Sequence, residues 1–217
     1  MIELPPAEGE ATKALLVLHG WGANQHDLVP LTQSLKLTNC HCFFPNAPYD
    51  VPGTGGAGKG WFTFPLNESS EREREASREI LFSHLDEIQG KGFRPDQIVL
   101  LGFSQGAGMC FDLMLNGTMK VGAVVSLSGF LMNGEQVKER RSLPSDTPIF
   151  AAHGLYDPIL PFERSKASVQ ILEECGFDLT WREYPMAHQI IPNAVSYTHL
   201  RAHETEAALV CRLLLEK

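Results

Sequence analysis

The sequence predicts an α/β fold in one domain, with a mostly parallel central sheet and helices on both faces. Three observations carry this expectation. Short runs of Val, Ile, Leu and Phe alternate with longer segments of helical periodicity, as parallel strands and crossover helices do. Several of the runs are continuously apolar rather than alternating, which suits strands covered on both faces. A chain of 217 residues that is 43% hydrophobic can bury one sizeable core and is short for two domains.

Strands are expected at Ala14–Leu18, Cys40–Phe44, Ile98–Leu101, Ala123–Leu127, Ile149–Ala152 and Leu179–Tyr184. Helical patterns lie between them at Asp27–Leu37, Glu71–Gln89, Gln105–Leu115 and Phe162–Cys175. The second helix opens at Ser70 with Glu73 three residues on, an arrangement that predicts a capping box. Its Ile80, Leu81, His84, Leu85 and Ile88 recur at helical spacing, so His84 reads as a packed or half-exposed helix residue rather than a ligand. From Pro45 to Pro65 the chain holds Pro48, Pro52, Gly53, Gly55, Gly56, Gly58 and Gly60, which predicts a long surface loop without helix or strand. Gly129 to Thr147 is too short to fold as a lid, so no large cap domain is expected and the site should be open.

Charge and cysteine usage narrow the function classes. The chain carries 26 acidic against 18 basic residues, a net charge of -8, and no basic cluster. That leaves no electrostatic footprint for nucleic acid or an anionic membrane, so the expected partner is a small molecule. Five cysteines, Cys40, Cys42, Cys110, Cys175 and Cys211, are scattered without the paired spacing of a zinc site or disulfide framework, and read as reduced thiols. No basic region followed by an apolar run opens the chain, and no segment is long and apolar enough to span a bilayer. A cytoplasmic protein without stable membrane insertion is expected, its oligomeric state unspecified.

The strongest chemical signal is Leu100-Leu101-Gly102-Phe103-Ser104-Gln105-Gly106-Ala107-Gly108, an apolar run passing through Gly-x-Ser-x-Gly into a helical pattern. A serine at a sharp strand-to-helix turn is crowded on both sides, and the glycines relieve that crowding. Its place beside a helix N-terminus favours a developing oxyanion. This is the nucleophile elbow of the α/β-hydrolase fold, with Ser104 as the candidate nucleophile.

A serine hydroxyl needs a base, and the base needs a carboxylate to fix its tautomer. In this fold they follow in the order Ser, acid, His, which sets aside His19, His26, His41 and His84. His188 follows the last expected strand, where a loop at the carboxyl edge of the sheet would carry a base. His153, directly after a strand and before any acid candidate, reads as structural. Asp157 follows the fifth strand and precedes His188, whereas Asp146 and Asp178 stand before strands, at the opposite edge. For the oxyanion the candidates are the N–H groups of Gln105, next to the nucleophile, and Trp21, in the glycine-flanked turn His19-Gly20-Trp21-Gly22. Trp61 and Phe62, at the end of the glycine-rich loop, are candidate walls of an acyl pocket, with anchoring of that loop to the core as the other reading.

Taken together, His19-Gly20-Trp21-Gly22-Ala23, Phe44-Pro45-Asn46-Ala47-Pro48, Gly60-Trp61-Phe62, Ser77-Arg78-Glu79-Ile80-Leu81, Gly102-Phe103-Ser104-Gln105-Gly106, Ser126-Leu127-Ser128-Gly129, His153-Gly154 with Asp157-Pro158 and Pro161, and Met186-Ala187-His188 resemble the phospholipase/carboxylesterase family of serine esterases. The matches run in family order across nearly all of residues 11 to 193. Ala107 and Ala187 stand where glycine is usual. The resemblance implies the catalytic set Ser104, Asp157 and His188, the oxyanion donors Trp21 and Gln105, and no metal or organic cofactor. The implied activity is hydrolysis of short to medium chain carboxylic esters or thioesters. Acyl-protein thioesterase, lysophospholipase and a non-catalytic binding protein of the same fold are the alternatives, the last having no use for an intact Ser, Asp and His set.

The chain is expected to divide into a catalytic domain, 1–193, and a non-native tail, 194–217. Val195 to Thr205 resembles a reading-frame translation of a transposase-type sequencing adaptor, and Leu209 to Leu215 the translation of its far end. Ala208 departs from that pattern. From about Glu204 to Leu215 the tail carries a helical pattern.

Overall fold

The computed structural model describes residues 1–6, 9–35, 37, 39–138 and 146–190. The domain boundary at 193, the tail 194–217 with His199 and His203, and Cys211 lie outside the described residues.

The chain folds as β1 (Ile2–Leu4), β2 (Lys13–Leu18), α1 (Val29–Ser34), β3 (Cys40–Phe44), β4 (Tyr49–Asp50), β5 (Lys59–Gly60), α2 (Ser70–Gly90), β6 (Ile98–Phe103), α3 (Gln105–Asn116), β7 (Ala123–Leu127), α4 (Gly134–Lys138), β8 (Ile149–Gly154), α5 (Phe162–Glu174) and β9 (Leu179–Tyr184). Seven strands make one sheet in the order β1-β3-β2-β6-β7-β8-β9. Only β1 runs antiparallel to its neighbour.

All six expected strands form. Two run past their expected ends because the neighbouring strands keep pairing with them. Phe103 of β6 lies opposite Leu127, and His153 and Gly154 of β8 lie opposite Glu183 and Tyr184. The sheet alternates its side chains between two packed layers. Leu16, Leu18 and Leu100 face Leu81, Leu85 and Ile88 of α2, Met109 and Leu113 of α3, and Leu172 of α5. Leu15, Val17, Val99, Leu101 and Phe150 form the opposite layer with Leu28 and Leu35, which flank α1. Each large apolar side chain removed from water stabilises by roughly 1.5–3 kcal/mol, and the side chains of β2, β6, β7 and β8 are almost all buried.

Two expectations are corrected. The segment Pro45–Pro65 does contain strands: Tyr49 pairs with Gly60 and Asp50 with Lys59, and Lys59 also bridges to Ala23. Two-residue strands are too short to show a period, and their pairing is set by tertiary contact. The expected capping box at Ser70 is also absent. Ser69 is the N-cap, and Glu73 turns outward to the loop, its Oε2 accepting the Thr63 N–H at 2.6 Å while Oε1 accepts the Ser69 hydroxyl at 2.8 Å. Ser70 Oγ donates to the Thr63 carbonyl at 2.9 Å. The first turn of α2 therefore fastens the end of the glycine-rich loop.

Candidate active site

The loops after β2, β6, β7, β8 and β9 all leave the carboxyl edge of the parallel sheet, where open α/β sheets bind ligands. Ser104 stands at that edge with φ +54° and ψ −117°, a backbone conformation that costs a non-glycine residue about 1–3 kcal/mol. Hydrogen bonds hold it there. Its N–H donates to the Leu127 carbonyl at 2.8 Å, and its own carbonyl accepts from Gly108 N–H at 3.1 Å. The flanking glycines are required by space: a Cβ on Gly106 would stand 2.2 Å from the Leu18 carbonyl oxygen, and one on Gly102 would stand 2.5 Å from Gly106 and Ala107 backbone atoms.

The structure brings Ser104, His188 and Asp157 together from three loops. Ser104 Oγ lies 2.9 Å from His188 Nε2, and His188 Nδ1 lies 2.6 Å from Asp157 Oδ2. Asp157 is buried, and its Oδ1 accepts the N–H groups of Ile159 at 2.9 Å and Leu160 at 2.8 Å. A carboxylate on Nδ1 draws the imidazole proton to that nitrogen and leaves Nε2 as an acceptor for the serine hydroxyl. The acid and base loops are joined by their main chains: Leu155 N–H donates to the Tyr184 carbonyl at 2.8 Å and Tyr156 N–H to the Met186 carbonyl at 3.1 Å.

His153 is fully buried beneath this set. Its Nε2 lies 2.9 Å from the Leu160 carbonyl and 3.4 Å from Asp157 Oδ2. Burial pushes its basicity below the ordinary histidine value, against the smaller opposing pulls of the Leu160 bond and the Asp157 charge. Asp146, at the other edge, pairs with Lys120.

Trp21 follows β2 in a turn whose next residue, Gly22, has φ +80°. Its ring lies on Gly60, where a Cβ would stand 2.2 Å away, and meets the Phe64 ring edge-on at 6.5 Å. Gln105 opens α3 directly after the serine. Of the two readings of Trp61 and Phe62, pocket walls or anchors of the loop, burial favours the second. Trp61 and Phe62 are 0% and 1% exposed, so they offer no surface to a substrate and instead anchor the loop in the core. The exposed apolar side chains at this edge include Phe64, against Trp21, and Leu155, Tyr156 and Ile159 around Asp157. Sequence reasoning missed them, although the run Leu155 to Pro161 holds no charged residue besides Asp157.

Among the described residues no cluster of His, Cys, Asp and Glu is placed to hold a metal ion, and no helix is long and apolar enough to cross a membrane.

This sheet order, with a strained serine at the end of a central strand, defines a serine hydrolase of the α/β-hydrolase fold. The chain belongs to the phospholipase/carboxylesterase family, whose sequence profile matches residues 2–203. Acyl-protein thioesterase 1 of Gibberella zeae is 29% identical over 209 residues, spanning 86% of this chain and 88% of that protein. Acyl-protein thioesterase 1 of Debaryomyces hansenii is 32% identical over 199 residues, spanning 82% and 84%. Among solved structures, esterase PE8 superposes with a TM-score of 0.79 at 26% identity, over 89% of this chain and 92% of that one. The protein is accordingly an enzyme, a serine hydrolase of the carboxylesterase type.

Proposed function

We propose that the chain hydrolyses short to medium chain carboxylic esters, thioesters included, through an acyl-enzyme on Ser104. The observation that supports this reading is the continuous relay from Asp157 Oδ2 through His188 to Ser104 Oγ, at 2.6 and 2.9 Å, ending on a serine of strained backbone.

In this reading His188 Nε2 takes the hydroxyl proton as Oγ attacks the substrate carbonyl carbon. The resulting oxyanion accepts hydrogen bonds from the N–H groups of Trp21 and Gln105, each such donor being worth about 3–4 kcal/mol in the transition state. His188 then passes its proton to the departing alcohol or thiol, leaving an acyl ester on Ser104. A water molecule repeats the sequence, with His188 as base, and releases the acid. Asp157 holds the imidazole in the required tautomer and stabilises the imidazolium that forms between the two proton transfers.

The exposed Phe64, Tyr156 and Ile159 are apolar surface for a short or medium acyl chain. The thioester part of the proposal draws on the relatives named acyl-protein thioesterase 1. We further propose that the catalytic domain ends near residue 193 and that the chain works in the cytoplasm on small-molecule esters. A fluorophosphonate probe should label the wild-type protein and leave Ser104→Ala unlabelled. A panel of nitrophenyl esters, matched thioesters and lysophospholipids at one enzyme concentration then ranks the substrates. Absence of labelling in folded wild-type protein would overturn the hydrolase mechanism, and preference for lysophospholipid would overturn the substrate assignment.

A further inference from the structure

His19 is buried, lies outside the Ser104 relay and is tied to three segments at once. Its Nε2 lies 3.1 Å from Ala47 N, its Nδ1 lies 2.8 Å from the Gly20 carbonyl oxygen, and its own carbonyl accepts the Trp61 indole N–H at 2.9 Å. The backbone N–H of Ala47 can only donate, so Nε2 must be the unprotonated nitrogen. The imidazole proton therefore sits on Nδ1 and is donated to the Gly20 carbonyl. Burial agrees with a neutral ring, holding its basicity below the usual histidine value against the weaker opposing effects of the Gly20 bond and the Asp27 charge.

The consequence follows from peptide geometry. The Gly20 carbonyl and the Trp21 N–H belong to one planar peptide unit, and across a trans bond they point in opposite directions. Phe64–Pro65 is the cis bond of the described residues, so the Gly20–Trp21 unit is trans. Gripping the Gly20 oxygen from one side fixes the direction of the Trp21 N–H on the other. We infer that His19 is a positioning residue for oxyanion stabilisation: by donating Nδ1–H to the Gly20 carbonyl it aims the Trp21 N–H at the oxygen that develops on a substrate bonded to Ser104.

Contacts of Trp61 and Gln105 stiffen the clamp. The Trp61 indole fixes the preceding peptide through the His19 carbonyl, its ring packed against the imidazole at 5.3 Å between centroids. The Trp61 backbone N–H donates to Gln105 Oε1 at 2.8 Å, while Gln105 Nε2 donates to the Phe62 carbonyl at 2.7 Å. Trp61 thus joins the segment carrying one candidate oxyanion donor to the side chain of the residue carrying the other. A glycine-flanked turn such as 20–22 has many conformations open to it, and these bonds select one.

This inference rests on the proposed oxyanion role of Trp21, and three variants test it. The Asn amide nitrogen can occupy the place of Nδ1, so His19→Asn can still reach the Gly20 carbonyl. The Gln amide extends to the place of Nε2, so His19→Gln can serve Ala47 but not Gly20. His19→Leu serves neither. Steady-state kinetics on nitrophenyl butyrate, per folded molecule, and the affinity for an alkylboronic acid, which forms a tetrahedral adduct on the serine, are the measurements. The expectation is a kcat loss of about 100-fold for His19→Leu, with KM within about threefold and boronate affinity falling in step with kcat. His19→Asn should keep at least about tenfold more kcat than His19→Gln, a ranking that stands if the leucine variant fails to fold. A purely structural role would lower melting temperature while leaving kcat per folded molecule and boronate affinity unchanged. That result, or His19→Gln equalling His19→Asn, would overturn the inference. Failure of the wild-type protein to react with a fluorophosphonate would instead overturn the underlying mechanism.

Discussion

Gly154 lies so close to the loop of the candidate base that a Cβ on residue 154 would stand 2.3 Å from the Met186 carbonyl oxygen and 2.6 Å from that of Ala187. Both neighbours are main chain and cannot swing aside as a side chain would. Gly154→Ala should therefore push residues 186–188 outward and lengthen the 2.6 Å contact between His188 and Asp157. Misplacement of a catalytic group by about 1 Å costs on the order of 100-fold in rate. The expected result is a kcat loss of about that size with the sheet intact by circular dichroism. Wild-type kcat in the alanine variant would show that the two loops are not rigidly joined.

Ser104→Ala should abolish ester hydrolysis by at least about three orders of magnitude while the fold survives, since the hydroxyl contributes nothing to the core. Relief of the φ +54° strain by an equally strained alanine is not expected, so melting temperature should stay close to wild type. Turnover by rigorously purified mutant protein would remove Ser104 from the mechanism.

Much of this arrangement was legible in the chain because the determining signals are local. Gly102 and Gly106 announce the elbow, since any side chain at either would strike backbone, and continuous apolar runs announce β2, β6, β7 and β8. What sequence could not supply was contact across distance. Glu73 reads as half of a capping box, yet it serves Thr63, ten residues earlier. Trp61 and Phe62 read either as walls of an acyl pocket or as anchors of the loop, and what decides for the anchor is long-range: the side chain of Gln105 holds their backbone, and both residues are buried. The strands β4 and β5 exist only because Tyr49 and Gly60 meet, and no periodicity of two residues can predict that.

Chain-length preference tests the open site. Nothing in the described residues encloses Ile159, which is 62% exposed, or Tyr156, which is 70% exposed. Turnover of nitrophenyl esters should peak at short to medium acyl chains. Ile159→Ser should raise KM for an octanoate several-fold and leave that for acetate nearly unchanged, in keeping with about 1–3 kcal/mol for an apolar contact of this kind. A clear optimum at long-chain lipids would require an enclosed acyl tunnel instead.

Truncation after Asn193 tests the proposed domain boundary. Ser104, Asp157, His188, Trp21 and Gln105 all precede it, and the residues from Val195 resemble translated adaptor rather than an esterase terminus. The family match, which continues to residue 203, argues the other way. The expected outcome is unchanged kcat and a melting temperature within a few degrees of the full chain. Loss of folding or activity would place the boundary further on.

Acid sensitivity of the fold follows from two buried imidazoles. The basicities of His19 and His153 are both lowered chiefly by burial, whereas in the unfolded chain both return to a value of about 6.5. Below that pH the unfolded chain takes up protons that the folded chain refuses. Stability from these groups is therefore fully present above about pH 6.5 and is lost progressively as pH falls toward the folded values. Asp112 works in the opposite sense, since burial raises its carboxyl against the pull of Arg74 and Arg78. It is a single group set against two histidines and starts from the lower carboxylate range, so the histidines should dominate between pH 7.5 and 5.5. Melting temperature should fall by a few degrees across that window. His153→Gln can keep a donor on the Leu160 carbonyl, now bound at 2.9 Å, while removing one titrating ring, so it should flatten the slope. An identical slope in that variant would show that His153 takes up its proton in the folded state, and would remove it from the account of acid sensitivity.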